Sequence, residues 1–285
     1  MGIRRYSRSE IEAKMEQLGT LFDAVRLVDP ASLRCMEFGA EDTLISTDVP
    51  CHQFWNREGR CINCISARAV TMGERQTKVE FLDDRAFFVC AEPVDIDGTI
   101  CSMECLVEMK DILLTAFGKN IFRHKIETMN EKIYMDSLTG VYNRRYYDEI
   151  ASGIFSTGVA FLDVDHFKQF NDQYGHAAGD VILHDAAQAI KRRIRDTDGL
   201  IRYGGDEFLL FFTNLYDADT FVRKLKLIQE DVARVRIPES PDEQLTISIG
   251  AVFDFRMVGS MLNEADRQMY EAKSRADHLS VRIVE

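Results

Sequence analysis

Four acidic side chains set the chemistry that this sequence can do. Asp163 closes a short apolar run, Val159 to Val164, and Asp165 follows two residues later. Alternate residues of an extended backbone share a face, so both carboxylates point the same way. Asp206 and Glu207 come directly after Gly204-Gly205, which separates the runs Leu200 to Tyr203 and Asp206 to Phe212. A two-residue hairpin there brings these acids beside the end of the first run. Glycines carry no Cβ and leave such a turn open to close approach by a phosphate or a base. Hard oxygen donors from two strand ends favour Mg²⁺ or Mn²⁺. Two such ions about 3.5 to 4 Å apart suit an in-line phosphoryl transfer. The alternative is a solvated acidic turn, which is all that D-x-D or G-G-D amounts to by itself.

A second group of reactive side chains lies elsewhere in the sequence. All seven cysteines (Cys35, Cys51, Cys61, Cys64, Cys90, Cys101 and Cys105) precede residue 106. Cys51-His52 followed by Cys61-x-x-Cys64 gathers three thiols and an imidazole, a spacing that suits Zn²⁺ or, with Cys101 or Cys105, an iron-sulfur cluster. The alternative is a set of reduced thiols packed as small hydrophobes. Disulfides are not expected in a chain without a secretion signal.

The elements that must position these groups are legible in the apolar spacing. Ser9-x-x-Glu12 reads as a capping box, and Ile11, Met15, Leu18, Phe22 and Val25 then step by fours and threes, which predicts one helix closed by Asp29-Pro30. That stripe suits packing on its own domain or a dimer contact. Strand runs follow at Arg34 to Phe38, Thr43 to Thr47, Thr77 to Leu82, Arg85 to Val94 and Thr99 to Met109, with a helix near Ile65 to Met72. Turns at Asp83-Asp84 and Asp97-Gly98 make the last three runs an antiparallel meander. Residues 1–110 are thus an α+β domain. Residues 111–135 read as a helical connector, with Phe122, Ile126, Met129 and Ile133 on one stripe.

Residues 136–285 alternate strands and helices. Val159 to Val164 is apolar on both faces, as a central strand is. Helices are predicted over His166 to Tyr174, Val181 to Ile194, Asp217 to Val235 and Ser260 to Ala276, and further strands over Leu245 to Phe253 and Leu279 to Val284. Phe167, Phe170 and Tyr174 fall at helical spacing and read as core. Trp55, the single tryptophan, reads as core or loop packing.

Of the 285 residues, 46% are hydrophobic, enough for two packed domains. The 47 acidic and 35 basic side chains leave a net charge of -12. Such a field opposes nonspecific binding to nucleic acid or an anionic membrane, so any anionic ligand must be held by local groups. Apolar stretches such as Phe208 to Phe212 fall far short of the roughly 18 residues that span a bilayer. The opening MGIRRYSRSE has no apolar signal region, and Tyr6 stands where a myristoylation signal needs Ser or Thr. A cytoplasmic protein with no nucleic-acid or membrane partner is expected.

Six ordered segments resemble the motif set of GGDEF-type diguanylate cyclases: Asp136-Ser-Leu-Thr-Gly-Val-Tyr-Asn-Arg-Arg145, Phe161-Leu-Asp-Val-Asp-His-Phe-Lys168 with Asn171-Asp172, Gly175-His-Ala-Ala-Gly-Asp180, Arg202-Tyr-Gly-Gly-Asp-Glu-Phe208, Thr246-Ile-Ser-Ile-Gly250 and Ala265-Asp-Arg-Gln-Met-Tyr-Glu-Ala-Lys273. The resemblance implies a palm-like, nucleotidyl-cyclase-type central sheet surrounded by helices, and a homodimer joining two GTP into cyclic di-GMP with release of pyrophosphate. By position it makes Asp163, the Val164 carbonyl and Asp206 metal ligands, and Glu207 the group that helps activate the 3'-hydroxyl. Asn171 and Asp180 then read guanine, Lys168 and Lys273 face the phosphates, and Gly204 and Gly205 form the turn against the substrate. Asp180 also suits a helix N-cap. Arg195-Asp-Thr-Asp198 stands where the family often carries a product-inhibition site for cyclic di-GMP. Without that register Arg195 and Asp198 are an ordinary surface pair at a helix end. The chain departs from the family after Lys273, where AKxxGRN is replaced by Ala272-Lys-Ser-Arg-Ala-Asp-His278, so that Asp277 takes the place of a phosphate-facing Arg.

The first domain resembles a PAS sensor in its order of elements, with Val107-Glu-Met-Lys-Asp111 at the exit. The expected protein is a regulated diguanylate cyclase. Two alternatives stand beside it: a catalytically silent module that binds GTP or cyclic di-GMP, against which Asp163, Asp206 and Glu207 speak, and a cyclase acting on a single ATP, against which the guanine readers Asn171 and Asp180 speak.

Overall fold

A computed structural model describes residues 3–39, 43–83, 85–109, 119–237 and 244–284, the side chains of 119–122 excepted. It divides into two compact units, Met1–Glu131 with Glu149–Ile154, and Lys132–Asp148 with Phe155–Glu285.

The first unit contains β1 (Arg4–Tyr6), α1 (Arg8–Gly19), β2 (Ala24–Asp29), β3 (Arg34–Phe38), β4 (Leu44–Pro50), α2 (Ile65–Met72), β5 (Gln76–Leu82), β6 (Arg85–Ile96) and β7 (Thr99–Glu108). Among the described residues they form a seven-stranded sheet ordered β1-β6-β7-β2-β3-β4, with β5 also pairing with β6. The meander holds, since β5, β6 and β7 pair antiparallel in sequence. The long first helix does not. Its capping box is Ser7 with Glu10 rather than Ser9 with Glu12, and it stops at Gly19. Val25 lies on β2, paired with Cys105 of β7. A strand residue and four helix-side residues had matched a helical spacing because all five pack on one core, around Ile11, Leu27, Val94 and Met103. The apolar stripe is therefore covered within its own unit.

The helix α3 (Lys119–Tyr134) covers the described part of the connector, and residues 111–118 lie outside the described residues. Ile126 packs beside Phe81 and Ala86, whereas Met129 is 60% exposed. Trp55 is buried and meets Phe54 and Phe87 edge to face.

The second unit follows as β8 (Tyr142–Asn143), α4 (Arg144–Glu149), β9 (Phe155–Ser156), β10 (Gly158–Val164), α5 (Phe167–Tyr174), α6 (His176–Lys191), β11 (Gly199–Arg202), β12 (Glu207–Phe212), α7 (Ala218–Val232), β13 (Ile247–Phe253), β14 (Arg256–Met257), α8 (Val258–Ala272) and β15 (Leu279–Ile283). Its main sheet runs β15-β13-β10-β12-β11-β8. Every residue of β10 and β13 is buried, as their two-sided apolar sequences require. Leu183, Ala186 and Ile190 of α6 and Phe221, Leu225 and Ile228 of α7 pack on that sheet.

Gly250 shows why one of the motifs is glycine. A Cβ there would overlap the main chain of Gln268 and Met269, so α8 can lie on β13 only over a bare backbone. Gly250→Ala is expected to destabilise the second unit by about 3 kcal/mol, at the upper end of ordinary overpacking. Urea unfolding measures this as a lower midpoint, and an unchanged midpoint contradicts the packing described.

Candidate active site

Strand pairing brings the acids together. In the antiparallel ladder of β10 and β12, Asp163 stands directly opposite Glu207. Residues so placed have Cβ atoms about 5 Å apart on the same face, where like charges repel. Asp206 lies one residue before Glu207, and its carbonyl accepts from the Val164 N–H at 3.2 Å. Burial pushes the Asp163 carboxyl above the ordinary carboxylate range, and the charges of Asp206 and Asp165 add to this against the pull of Lys273. Burial also comes first for Glu207, which is raised further by Asp163, Asp206 and Asp266 and lowered by Lys273. The Lys273 ammonium sits 2.9 Å from Asp163 Oδ1.

Asp165, expected beside Asp163 as a second acid of the site, is used structurally. Its Oδ1 accepts from Ser248 Oγ at 2.7 Å, and His278 Nδ1 stands 3.2 Å from its Oδ2. Ser248 is itself the β13 partner of Asp163, so this cluster braces the end of β10.

The glycine turn is wider than a two-residue hairpin. β11 ends at Arg202, which pairs with Phe208, and the N–H groups of Tyr203 and Gly204 both donate to the Glu207 carbonyl. Neither Gly204 nor Gly205 takes a positive φ. A Cβ at Gly204 would meet Glu207 Oε2, the far end of a flexible side chain that can move aside. Sequence reasoning missed what holds this loop. Arg202 donates through Nε and Nη2 to the Gly205 carbonyl at 3.1 and 2.8 Å, and its Nη1 reaches Asp136 Oδ1 at 3.1 Å. Asp136 Oδ1 also accepts from the Thr139 N–H and hydroxyl at 2.9 and 2.7 Å. Burial works against ionising Asp136, but the Thr139 donors and the Arg202 guanidinium outweigh it and hold the carboxyl below its ordinary value. An acid three residues before a threonine was the one local signal.

The remaining expected contacts lie on α5, α6 and α8. Asn171 packs against Gly179, and its buried Oδ1 has no hydrogen-bond partner. Asp180, the residue after Gly179, is exposed and sits inside α6; the N-cap of that helix is Gly175, whose φ of 85° only glycine takes easily, so Asp180 is not a cap. Lys168 is exposed on α5. Phe167 and Phe170 pack on the core, as their spacing suggests. Asp277 is turned to local use, accepting from the Leu279 N–H at 3.4 Å and from Arg275 Nε at 3.3 Å. Arg195 is exposed, with one long contact to the Asn214 carbonyl. Asp198 is buried rather than part of a surface pair: its oxygens accept from the N–H groups of Arg195 and Thr213, with Lys224 Nζ at 3.5 Å.

In the first unit Cys51, Cys61 and Cys64 are buried free thiols, and burial raises Cys51 and Cys61 above the ordinary thiol value. His52 Nδ1 is engaged by the Arg57 carbonyl at 2.7 Å. Among the described residues no three His, Cys, Asp or Glu side chains are grouped to hold a metal ion, so the expected set of Cys51, His52, Cys61 and Cys64 is not assembled as a cage. Nor is any helix among them long and apolar enough to cross a membrane.

Residues 133–278 match the family described as "Diguanylate cyclase, GGDEF domain". Diguanylate cyclase A of Treponema denticola is 36% identical over 119 residues, which are 40% of this chain and 32% of that protein. Diguanylate cyclase DosC of Escherichia coli is 33% identical over 164 residues, 52% of this chain and 35% of that protein. The chain thus spans only 32% and 35% of these two curated relatives. The coiled coil and GGDEF domain of DgcB from Caulobacter crescentus, solved in complex with c-di-GMP, superposes with a TM-score of 0.52 at 25% identity, covering 59% of this chain and 95% of that one.

Asp136→Asn removes the anchor of Arg202 and is expected to cost about 1–3 kcal/mol of stability at neutral pH. Because the folded carboxyl is held below its unfolded value, this contribution is present above about pH 4 and is lost as the pH falls through the depressed value. Unfolding free energies of wild type and variant, measured from pH 7 to pH 2, should converge at the acid end. A gap that stays constant with pH contradicts the assignment.

Proposed function

The chain belongs to the GGDEF family, and from that premise we propose that its second unit joins two GTP molecules into cyclic di-GMP with release of pyrophosphate. The observation that carries this is the pairing of Asp163 with Glu207 beside Asp206, three acids gathered at the ends of β10 and β12. Structural sheets avoid opposing like charges, and this one retains them where burial makes them costly.

The donor set fits a hard divalent cation. Burial raises both carboxyls, with the charges of Asp206 and Asp165 adding at Asp163 and those of Asp163 and Asp206 adding at Glu207, and a cation relieves this. Mg²⁺ is commonly bound by one or two carboxylates together with substrate phosphates rather than by an all-protein cage. Asp163, Asp206 and the Val164 carbonyl are the groups that would hold it. When bound, Mg²⁺ or Mn²⁺ supplies a Lewis acid at the phosphate oxygens.

The protein residues divide the remaining work. The ionised Glu207, made a stronger base by burial and its acidic neighbours, accepts the proton of a 3'-hydroxyl as that hydroxyl oxygen forms a bond to the α-phosphorus of the second GTP. The α–β phosphoanhydride bond breaks, and pyrophosphate leaves with the electron pair. A second identical step closes the ring. Asn171 offers guanine an amide with a free acceptor, and Asp180 offers a carboxylate to its N–H groups. Lys168 and Lys273 supply positive charge for the phosphates. Two GTP sites must face each other, so the working unit is a homodimer. Arg195 contacts a phosphate of the product in feedback inhibition by cyclic di-GMP, a reading supported by its exposure and by Asp198 accepting from its N–H.

For the first unit we propose a PAS-like sensor that acts on the cyclase through the connector. Its support is the sheet order, in which β2 and β3 pair beyond β7 while β5 pairs on the far side of β6.

The test is incubation of the full chain with GTP and Mg²⁺, with cyclic di-GMP read by mass spectrometry. Wild type should form it. Glu207→Gln should lower kcat by about a hundredfold to ten-thousandfold, and Asp206→Ala should abolish turnover. Arg195→Ala should leave turnover intact while added product inhibits less. Retained GTP binding without turnover by wild type would instead support a silent nucleotide receptor, the reading that Asp277 favours.

A further inference from the structure

The cation at Asp163 in this structure is an amino group. Lys273 Nζ lies 2.9 Å from Asp163 Oδ1, and Asp163 is much the more buried partner, with side-chain exposures of 12% against 43% for the lysine. Lys273 stands at the C-cap of α8, where its N–H donates to the Met269 carbonyl, and Met269 is buried beneath the helix. The backbone is therefore held by the helix, while the long side chain, 43% exposed, has space for other rotamers. The neighbouring candidate for phosphate binding is withdrawn from that work, because position 277 is an acid that pairs with Arg275 at 3.3 Å. One ammonium thus has two partners to serve.

We propose that Lys273 is a built-in competitor of the divalent cation, neutralising Asp163 while the site is empty and moving to the triphosphate when metal and nucleotide bind together. This rests on the metal site proposed at Asp163. An ammonium and a divalent ion cannot share the Asp163 oxygen, since each repels the other at that distance. Metal alone must displace the lysine into solvent and so binds weakly. Nucleotide gives the displaced ammonium a new anionic partner, and the two ligands assist each other by the same factor in either order. The exchange also keeps the paired acids compensated in the empty protein, where Asp163 and Glu207 would otherwise face each other without a counter-charge.

Mn²⁺ titration of the nucleotide-free full chain, followed by electron paramagnetic resonance, tests this. Lys273→Met, or Lys273→Gln if the first variant does not fold, should bind Mn²⁺ about tenfold more tightly than wild type. The same variant should bind GTP more weakly, and GTP should no longer tighten Mn²⁺ binding. Lys273→Arg keeps the cation and should keep the weak metal binding of wild type. Asp163→Asn separates the two ways of failing. If it loses the Mn²⁺ site and Lys273→Met binds no tighter than wild type, the exchange is wrong while the metal site stands. If Asp163→Asn binds Mn²⁺ as wild type does, the site itself is misplaced and the exchange falls with it.

Discussion

Everything at the candidate site follows from the register of two strands. Pairing β10 antiparallel with β12 sets Asp163 opposite Glu207, with Asp206 at the turn beside them. Acids whose Cβ atoms lie about 5 Å apart on one sheet face repel, and burial sharpens the repulsion by weakening solvent screening. A fold selected for stability alone gains by replacing either acid. The arrangement makes physical sense for a site whose complement is a cation carrying a highly charged phosphate ester, because the unfavourable charge then becomes binding energy.

The surrounding structure is organised to tolerate that register. Asp136 and Thr139 fix Arg202, which grips the Gly205 carbonyl and sets the shape of the loop before Glu207. On the other side of β10, Ser248 and His278 hold Asp165 and keep the strand end in place. Gly250 lets α8 settle on β13, and the end of α8 presents Lys273 to Asp163. Motifs scattered over more than a hundred residues of sequence thus meet around one pair of carboxylates, which explains why single motifs are weak signals and their ordered set is a strong one.

Much of this was legible in the sequence because it rests on local periodicity. The central strand Val159 to Val164 and the helix expected over His166 to Tyr174 appear where apolar spacing puts them. The failures share a cause. Val25 fits a helical period by coincidence, since a strand packed against a helix can expose apolar residues to the same core. Gly204-Gly205 looks like a tight turn, but neither backbone takes a positive φ, and the loop is held by the nearby Arg202, which is anchored in turn by the distant Asp136. The roles of Arg202, Ser248 and His278 depend on long-range contacts that no local pattern carries. Cysteine spacing likewise says which thiols are near one another in the chain, not which donors converge; His52 turns to a carbonyl instead.

Anomalous diffraction from crystals grown with Mn²⁺ and a non-hydrolysable GTP analogue tests the site most directly. Manganese peaks beside Asp163, Asp206 and the Val164 carbonyl are expected, with guanine against Asn171 and Asp180 and the phosphates within reach of Lys273. A nucleotide bound with its base elsewhere, or manganese remote from the ends of β10 and β12, contradicts the proposed chemistry at its root.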